Sequence, residues 1–202
     1  MQVKYENSPK RKSSFLFYLG RFLSWLLFAS VYRLKVLGVE NIPDGGAIIA
    51  PNHQSFFDPP LMGASMPRDL HFMAKQELFK VPVLGFLIKR TNAFPIKRGA
   101  LDMSAFRNAF DLLKKGELLL MFPEGTRSKD GNLGKARAGL GMVAVNAGVP
   151  VVPAKITGTN TMFKLKRITV TYGKPLMSEP LKDKDYYLEF SKKVVEAIAK
   201  LK

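Results

Sequence analysis

Short strand-like and helix-like segments alternate along the chain from residue 33 to its end. That alternation predicts an α/β fold, with a mostly parallel central sheet flanked by helices. Three observations carry the prediction. The apolar stretch at 46–50 and the stretch at 149–156 read as strands, and the near-continuous apolar run at 117–122 reads as a buried parallel strand. Between them run segments with helical spacing, clearest at 101–115, where Leu101, Ala105, Phe106, Ala109, Phe110 and Leu113 share one face. Turn residues punctuate the alternation at Pro43-Asp44-Gly45-Gly46, at Gly116 and at Gly148. The 202 residues suffice for a sizeable core.

The elements follow in order. Residues 1–32 form a first unit, a basic and apolar segment expected to be helical and to associate with a membrane; residues 33–202 form the α/β domain. Lys10, Arg11 and Lys12 precede an apolar stretch at 15–31 that is interrupted by Gly20, Arg21 and Ser24. A bilayer span needs about 20 apolar residues, so this stretch is expected to lie in the interface rather than to cross it. Arg21, Ser24 and Phe17 would mark a narrow polar face. Tyr18, Trp25 and Tyr32 suit the headgroup level. A cleaved leader is disfavoured because no small-x-small site follows, and a soluble helix packed on the core is the plainer alternative.

Residues 33–37 alternate like a strand, and 46–50 form the next one. Residues 60–66 read as a helix, 70–74 as a strand, 81–89 as a helix and 93–96 as an extended piece. After the helix at 101–115 come the strand at 117–122, a helix at 135–147, a strand at 149–156, a β-branched strand at 168–172 and a closing amphipathic helix at 183–202. Residues 61–62 and 83–88 are expected to pack in the core, the alternative being that they line a tunnel for an apolar ligand.

Charge narrows the partners. Lys and Arg number 32 against 16 Asp and Glu, a formal net charge of +16. Such a balance implies an anionic partner. The chain carries no zinc-finger spacing, RNP-like aromatic strand or recognition helix, which leaves an anionic membrane surface ahead of nucleic acid. There is no cysteine. Disulfides, zinc–thiolate sites and thiol nucleophiles are thereby excluded. The two histidines, His53 and His71, stand in no metal-ligand spacing, so no metal is expected.

The chemistry concentrates in two blocks. In Asn52-His53-Gln54-Ser55-Phe56-Phe57-Asp58 an imidazole and a carboxylate stand five positions apart, directly after an apolar strand and before Pro59 and Pro60. The prolines place the pair in a turn rather than in a helix. A carboxylate beside a histidine sets the tautomer and stabilises the imidazolium, while the imidazole takes a proton from an attacking hydroxyl. That hydroxyl can belong to the substrate. The second block is Phe122-Pro123-Glu124-Gly125-Thr126-Arg127-Ser128. Arg127 offers a planar fork suited to phosphate. Gly125 lets backbone approach a ligand. Glu124, repelled by phosphate when ionised, is expected to order Arg127 or to accept from a substrate hydroxyl. Both blocks leave predicted strands at their carboxyl ends, where α/β sheets gather their sites.

Together these blocks resemble the NHxxxxD and FPEGTRS signature of the glycerolipid acyltransferases, the family of lysophosphatidic acid (1-acylglycerol-3-phosphate) acyltransferases. Two weaker blocks fit the same order. Phe94-Pro95-Ile96-Lys97-Arg98-Gly99 matches the position of the family's glycerol-phosphate-binding block, with Arg98 as its arginine, although Asn92 and Pro95 depart from the pattern. Val151-Val152-Pro153 resembles the apolar proline block. The resemblance covers about residues 33–175. It implies transfer of a fatty acyl group from acyl-acyl-carrier protein or acyl-coenzyme A to the sn-2 hydroxyl of lysophosphatidic acid, giving phosphatidic acid. His53 and Asp58 would be catalytic, and Arg98, Glu124, Gly125, Thr126 and Arg127 would bind phosphate and glycerol. The acyl thioester is a co-substrate and no cofactor is implied. The location implied is the cytoplasmic face of a membrane, with peripheral or monotopic attachment. Another glycerolipid acceptor (glycerol-3-phosphate, a lysophospholipid or a glycolipid) and a non-catalytic peripheral lipid-binding protein are the competing readings.

Overall fold

In the computed structural model the described residues are 14–97, 102–128, 130–179 and 185–202. Lys10–Lys12 and Arg98 of the sequence reading lie outside them.

One seven-stranded sheet organises the molecule. Its strands are β1 (Lys35–Leu37), β2 (Ala47–Pro51), β3 (Leu70–Lys75), β4 (Ala93–Ile96), β5 (Leu118–Leu120), β6 (Val151–Thr157) and β7 (Thr169–Tyr172). They run in the order β1-β7-β6-β2-β5-β3-β4. All neighbours pair parallel except β6 and β7. The exception has a local cause. Residues 158–168 hold only a short 3-10 stretch, Thr159–Lys164, and no crossover helix, so the chain turns back antiparallel. Pro95 sits in the edge strand β4, where a missing N–H is tolerated.

Alternation along the central strands splits the core into two layers. Ala47 and Ile49 of β2, Leu118 and Leu120 of β5, and Val152, Ala154 and Ile156 of β6 face one side; Ile48, Ala50, Leu119 and Val151 face the other. The first side is covered by α1 (Phe15–Ser30) and α2 (Asp58–Ser65), through Phe28, Leu61 and Met62. The second is covered by α4 (Met103–Lys114), α5 (Ala138–Ala147) and α6 (Asp185–Lys200), through Phe106, Leu113, Val143, Phe190 and Val194. Asp102 caps α4 by accepting the Ala105 N–H at 3.2 Å. It also accepts from the Ser104 hydroxyl and the Lys97 N–H, and these hydrogen bonds, that of Ser104 foremost, lower its pKa to about 2.

Three sequence expectations are corrected here. Residues 135–137 are not helical: Arg137 is extended and α5 begins at Ala138. The Gly134 N–H donates to Glu124 and the Arg137 N–H to the Pro123 carbonyl, so this stretch is held by the loop after β5. Tyr32 is buried in the first core layer beside Phe28 and offers no headgroup anchor. The remaining helix, α3 (Pro82–Ile88), packs in neither core layer; Val83 is 75% exposed and Phe86 52%.

Helix α1 has two faces. Phe17 and Phe28 are buried, and the Arg21 guanidinium donates to the Met66 carbonyl and reaches Asp69 at 3.4 Å, a residue that also accepts from the Tyr18 hydroxyl. Arg21 thus faces protein. Phe15, Phe22, Leu23, Trp25 and Leu26 are exposed on the other face, where Phe22 and Trp25 stack at 6.2 Å. No helix among the described residues is long and apolar enough to cross a membrane.

Candidate functional site

Three adjacent strands, β5, β2 and β6, end side by side and deliver the site from their carboxyl-terminal loops. This is the crevice where parallel sheets place ligands, since the connections from neighbouring strands leave to opposite faces.

The loop after β2 is locked before it reaches His53. The Asn52 side chain donates to the Ile156 carbonyl at 3.0 Å and accepts the Ile156 N–H at 2.7 Å. A side-chain amide thereby extends the β2–β6 ladder by one rung. Gln54 adds a third bond, donating to the same carbonyl at 2.8 Å. His53 is held between these anchors. Its N–H donates to Glu124 Oε1 at 2.8 Å and its carbonyl accepts the Ser128 N–H at 2.8 Å.

Asp58 does not lie in the turn expected from its prolines. It opens α2, with Pro59 and Pro60 in the first turn, where their lack of an N–H removes no helical bond. From there its carboxylate reaches back over the loop. Oδ2 lies 2.8 Å from His53 Nδ1 and accepts the N–H groups of Gln54 and Ser55, each at 2.7 Å. Oδ1 accepts the Thr159 hydroxyl at 2.7 Å. Asp58 is fully buried, and these bonds satisfy the charge that burial would otherwise leave stranded. A carboxylate at Nδ1 requires that nitrogen to be the donor, which leaves Nε2 an acceptor. Among the described residues Nε2 has no hydrogen-bond partner. Phe122 stacks on the imidazole at 3.8 Å and 16°, which fixes the ring plane.

The loop after β5 carries the second block. Glu124, 3% exposed, accepts the His53 N–H through one oxygen and the Gly134 N–H, at 2.8 Å, through the other. It therefore does not order Arg127; its carboxylate braces backbone of both loops. Gly125 has φ +68°, and a Cβ there would stand 2.8 Å from Arg137 Cδ, so the glycine admits a neighbouring side chain as well as the turn. Arg137 Nε donates to the Glu124 carbonyl at 3.2 Å. Arg127 is exposed, with its guanidinium 3.6 Å from the ring centroid of Phe56, itself 79% exposed. Thr126 and Ser128 help to line an open cavity of about 500 Å³ with Glu124, Lys135 and Arg137. At its rim the Asn132 side chain and the Ser128 hydroxyl donate to Asp130, lowering its pKa to about 2.

The structure thus brings His53, Asp58, Glu124, Gly125, Thr126 and Arg127 to one end of the sheet. His71 is elsewhere, on β3, with Nε2 3.9 Å from Glu117. Sequence reasoning missed Thr159, Arg137 and the stacking of Phe122. Phe122 and Asn52 stood inside the blocks, and their positions were the available signal. Thr159 lies 101 residues from Asp58 and has none. Chemically, the arrangement offers an oriented base beside a loop bearing an exposed guanidinium.

Comparison with known proteins gives the same outline. The acyltransferase family model matches residues 33–157. The 1-acyl-sn-glycerol-3-phosphate acyltransferase of Bacillus subtilis is 35% identical over 149 residues, 71% of this chain and 73% of that one. The chloroplastic 1-acyl-sn-glycerol-3-phosphate acyltransferase LPAT1 of Arabidopsis thaliana is 36% identical over 136 residues, 65% of this chain but 38% of its own length. The chain therefore spans about two fifths of the chloroplastic relatives from Arabidopsis thaliana and Brassica napus. Among solved structures, the crystal structure of the 1-acyl-sn-glycerophosphate acyltransferase PlsC from Thermotoga maritima has a TM-score of 0.69 at 29% identity, covering 93% of this chain and 78% of the other.

Proposed function

Because the chain belongs to the acyltransferase family, we propose that it transfers a fatty acyl group from an acyl thioester to the sn-2 hydroxyl of lysophosphatidic acid, forming phosphatidic acid. The observation that carries this reading is the buried Asp58 carboxylate at the start of α2, 2.8 Å from Nδ1 of His53, whose own loop is hydrogen-bonded to the loop that holds Glu124 to Arg127. His53 Nε2 takes the proton of the lysolipid hydroxyl as its oxygen attacks the thioester carbonyl. The tetrahedral intermediate collapses, the C–S bond breaks, and the thiolate of coenzyme A or acyl-carrier protein takes the proton back from the imidazolium. No acyl-enzyme is needed, so Ser55 and Ser128 have no nucleophilic role.

Arg127 receives the phosphate, for which its planar fork is suited. Thr126 and the backbone at Gly125 stand at the adjoining cavity. Arg98, outside the described residues, is the second phosphate ligand on the family pattern. Glu124 acts through its neighbours, keeping the phosphate loop and the His53 loop in register. The thioester is the co-substrate, and no cofactor enters the reaction.

The exposed apolar face of α1, with Trp25 at its centre, rests on an anionic membrane surface at the cytoplasmic side. A net charge of +16 supports that location as well as an acidic lysolipid and an acidic carrier.

The test is an acceptor panel run with both donors. Lysophosphatidic acid, glycerol-3-phosphate, a lysophospholipid bearing a headgroup and a glycolipid are each offered with acyl-coenzyme A and with acyl-acyl-carrier protein, and free thiol is measured. Lysophosphatidic acid is expected to give the highest kcat/KM. Preference for another acceptor would replace the substrate assignment; absence of thiol release with all of them would leave a lipid-binding protein.

A further inference from the structure

Helix α3 and the 3-10 turn before it, Gln76–Lys80, form the β3–β4 crossover and leave β3 at the same carboxyl edge that carries the site. In a crossover helix the bulky residues normally face the sheet. Here the relation is inverted. The single buried residue of α3 is Gly85, whose absent Cβ would stand 2.3 Å from the Phe79 carbonyl oxygen. The helix is therefore pressed onto the preceding turn through its glycine, while Ile88 is half-buried and the other large side chains are exposed. Val83, Leu84, Phe86 and Leu87 are 75%, 40%, 52% and 48% exposed. Water is a poor solvent for so dense an apolar cap, and surfaces of this kind mark contact sites.

We propose that α3 is a second bilayer-inserting element, which acts with α1 to seat the site mouth on an anionic lipid surface. The inference rests on the membrane reading given above for α1 and extends it to a separate part of the fold. Two observations select lipid as the occupant. Lys80, Lys89 and Arg90 flank the apolar cap, and the Arg90 guanidinium lies 3.8 Å from the centroid of the Phe86 ring. Cations bordering an inserted aromatic suit the anionic headgroup level. The two elements also touch: the Ser14 hydroxyl, at the start of α1, donates to the Arg90 carbonyl at 2.6 Å, just beyond the end of α3. The start of α1 and the end of α3 thereby meet at one point of the surface.

The chain's single tryptophan and lack of cysteine make the test direct. Wild-type Trp25 reports α1. A Trp25→Phe, Phe86→Trp double variant reports α3. Each is mixed with vesicles of phosphatidylglycerol carrying brominated acyl chains. Both fluorophores are expected to shift to the blue and to be quenched. Quenching of Trp25 without quenching of the residue-86 probe would overturn the proposal and leave the membrane reading of α1 intact; quenching of neither would remove both. As a second measurement, a Val83→Ser, Phe86→Ser, Leu87→Ser variant, folded by circular dichroism with an unchanged melting midpoint, is expected to partition onto these vesicles at least tenfold more weakly. Unchanged partitioning would refute the idea. So would sedimentation of the wild type as a dimer that the serine variant dissolves, since α3 would then be covered by a second copy.

Discussion

The two charged groups that dominate the site are held in opposite ways. Asp58 is fully buried and accepts from the His53 ring, from two backbone N–H groups and from Thr159, which leaves it one geometry. Arg127, on the neighbouring loop, is exposed and rests on an exposed Phe56 ring, with no carboxylate paired to it among the described residues. The contrast separates two demands. Proton abstraction tolerates little error in the base's position, so its support is buried and hydrogen-bonded. Anion recognition gains from a guanidinium that can move onto its ligand, and a flat aromatic lets it slide at little energetic cost.

Breaking the buried half should be far more damaging than breaking the exposed one. His53→Ala is expected to lower kcat by about 10⁴-fold, the upper end for a general base, with an unchanged circular dichroism spectrum; near wild-type turnover would remove the imidazole from the chemistry. Asp58→Asn keeps the shape but loses the charge and the tautomer control, and should lower kcat by roughly 10³-fold, measured under saturating donor and acceptor. Arg127→Ala should instead raise KM for the phosphate-bearing acceptor by about tenfold or more, the loss of a charge-assisted hydrogen bond, while kcat changes little. A fall in kcat at constant KM would show that Arg127 acts with the buried half. The smallest effect sharpens the comparison most. Thr159→Val removes one of four bonds to Asp58 and should lower kcat by about three- to tenfold with KM unmoved, and Thr159→Ser should restore it. An effect on KM would mean that the β6 loop contacts substrate.

What was legible in the sequence followed the same division. His53 and Asp58 lie within one seven-residue block, and the second block at Phe122–Ser128 gave that spacing its meaning. The strands of the two central layers were readable because burial on both faces leaves apolar runs such as Leu118–Leu120. Thr159 was invisible because the fold, and nothing local, carries it to Asp58. Residues 135–137 were misread because propensity favours helix there while the Gly134 and Arg137 amides are taken by the loop after β5. For α3 the pattern was ambiguous in principle: a short apolar helix reads the same whether it faces core or surroundings. Gly85 was the clue to its orientation.

His53 is gripped at both its amide and its carbonyl by the loop that bears Arg127, through Glu124 and Ser128. The two loops are tied to each other by these two hydrogen bonds. Thermodynamic linkage follows: whatever anion reorganises residues 124–134 must also change the free energy of the imidazole's position, and by reciprocity the state of that ring alters the anion's affinity. Hydrogen exchange at the amides of His53 and Gly134 should accordingly slow in concert when phosphate or its esters are added.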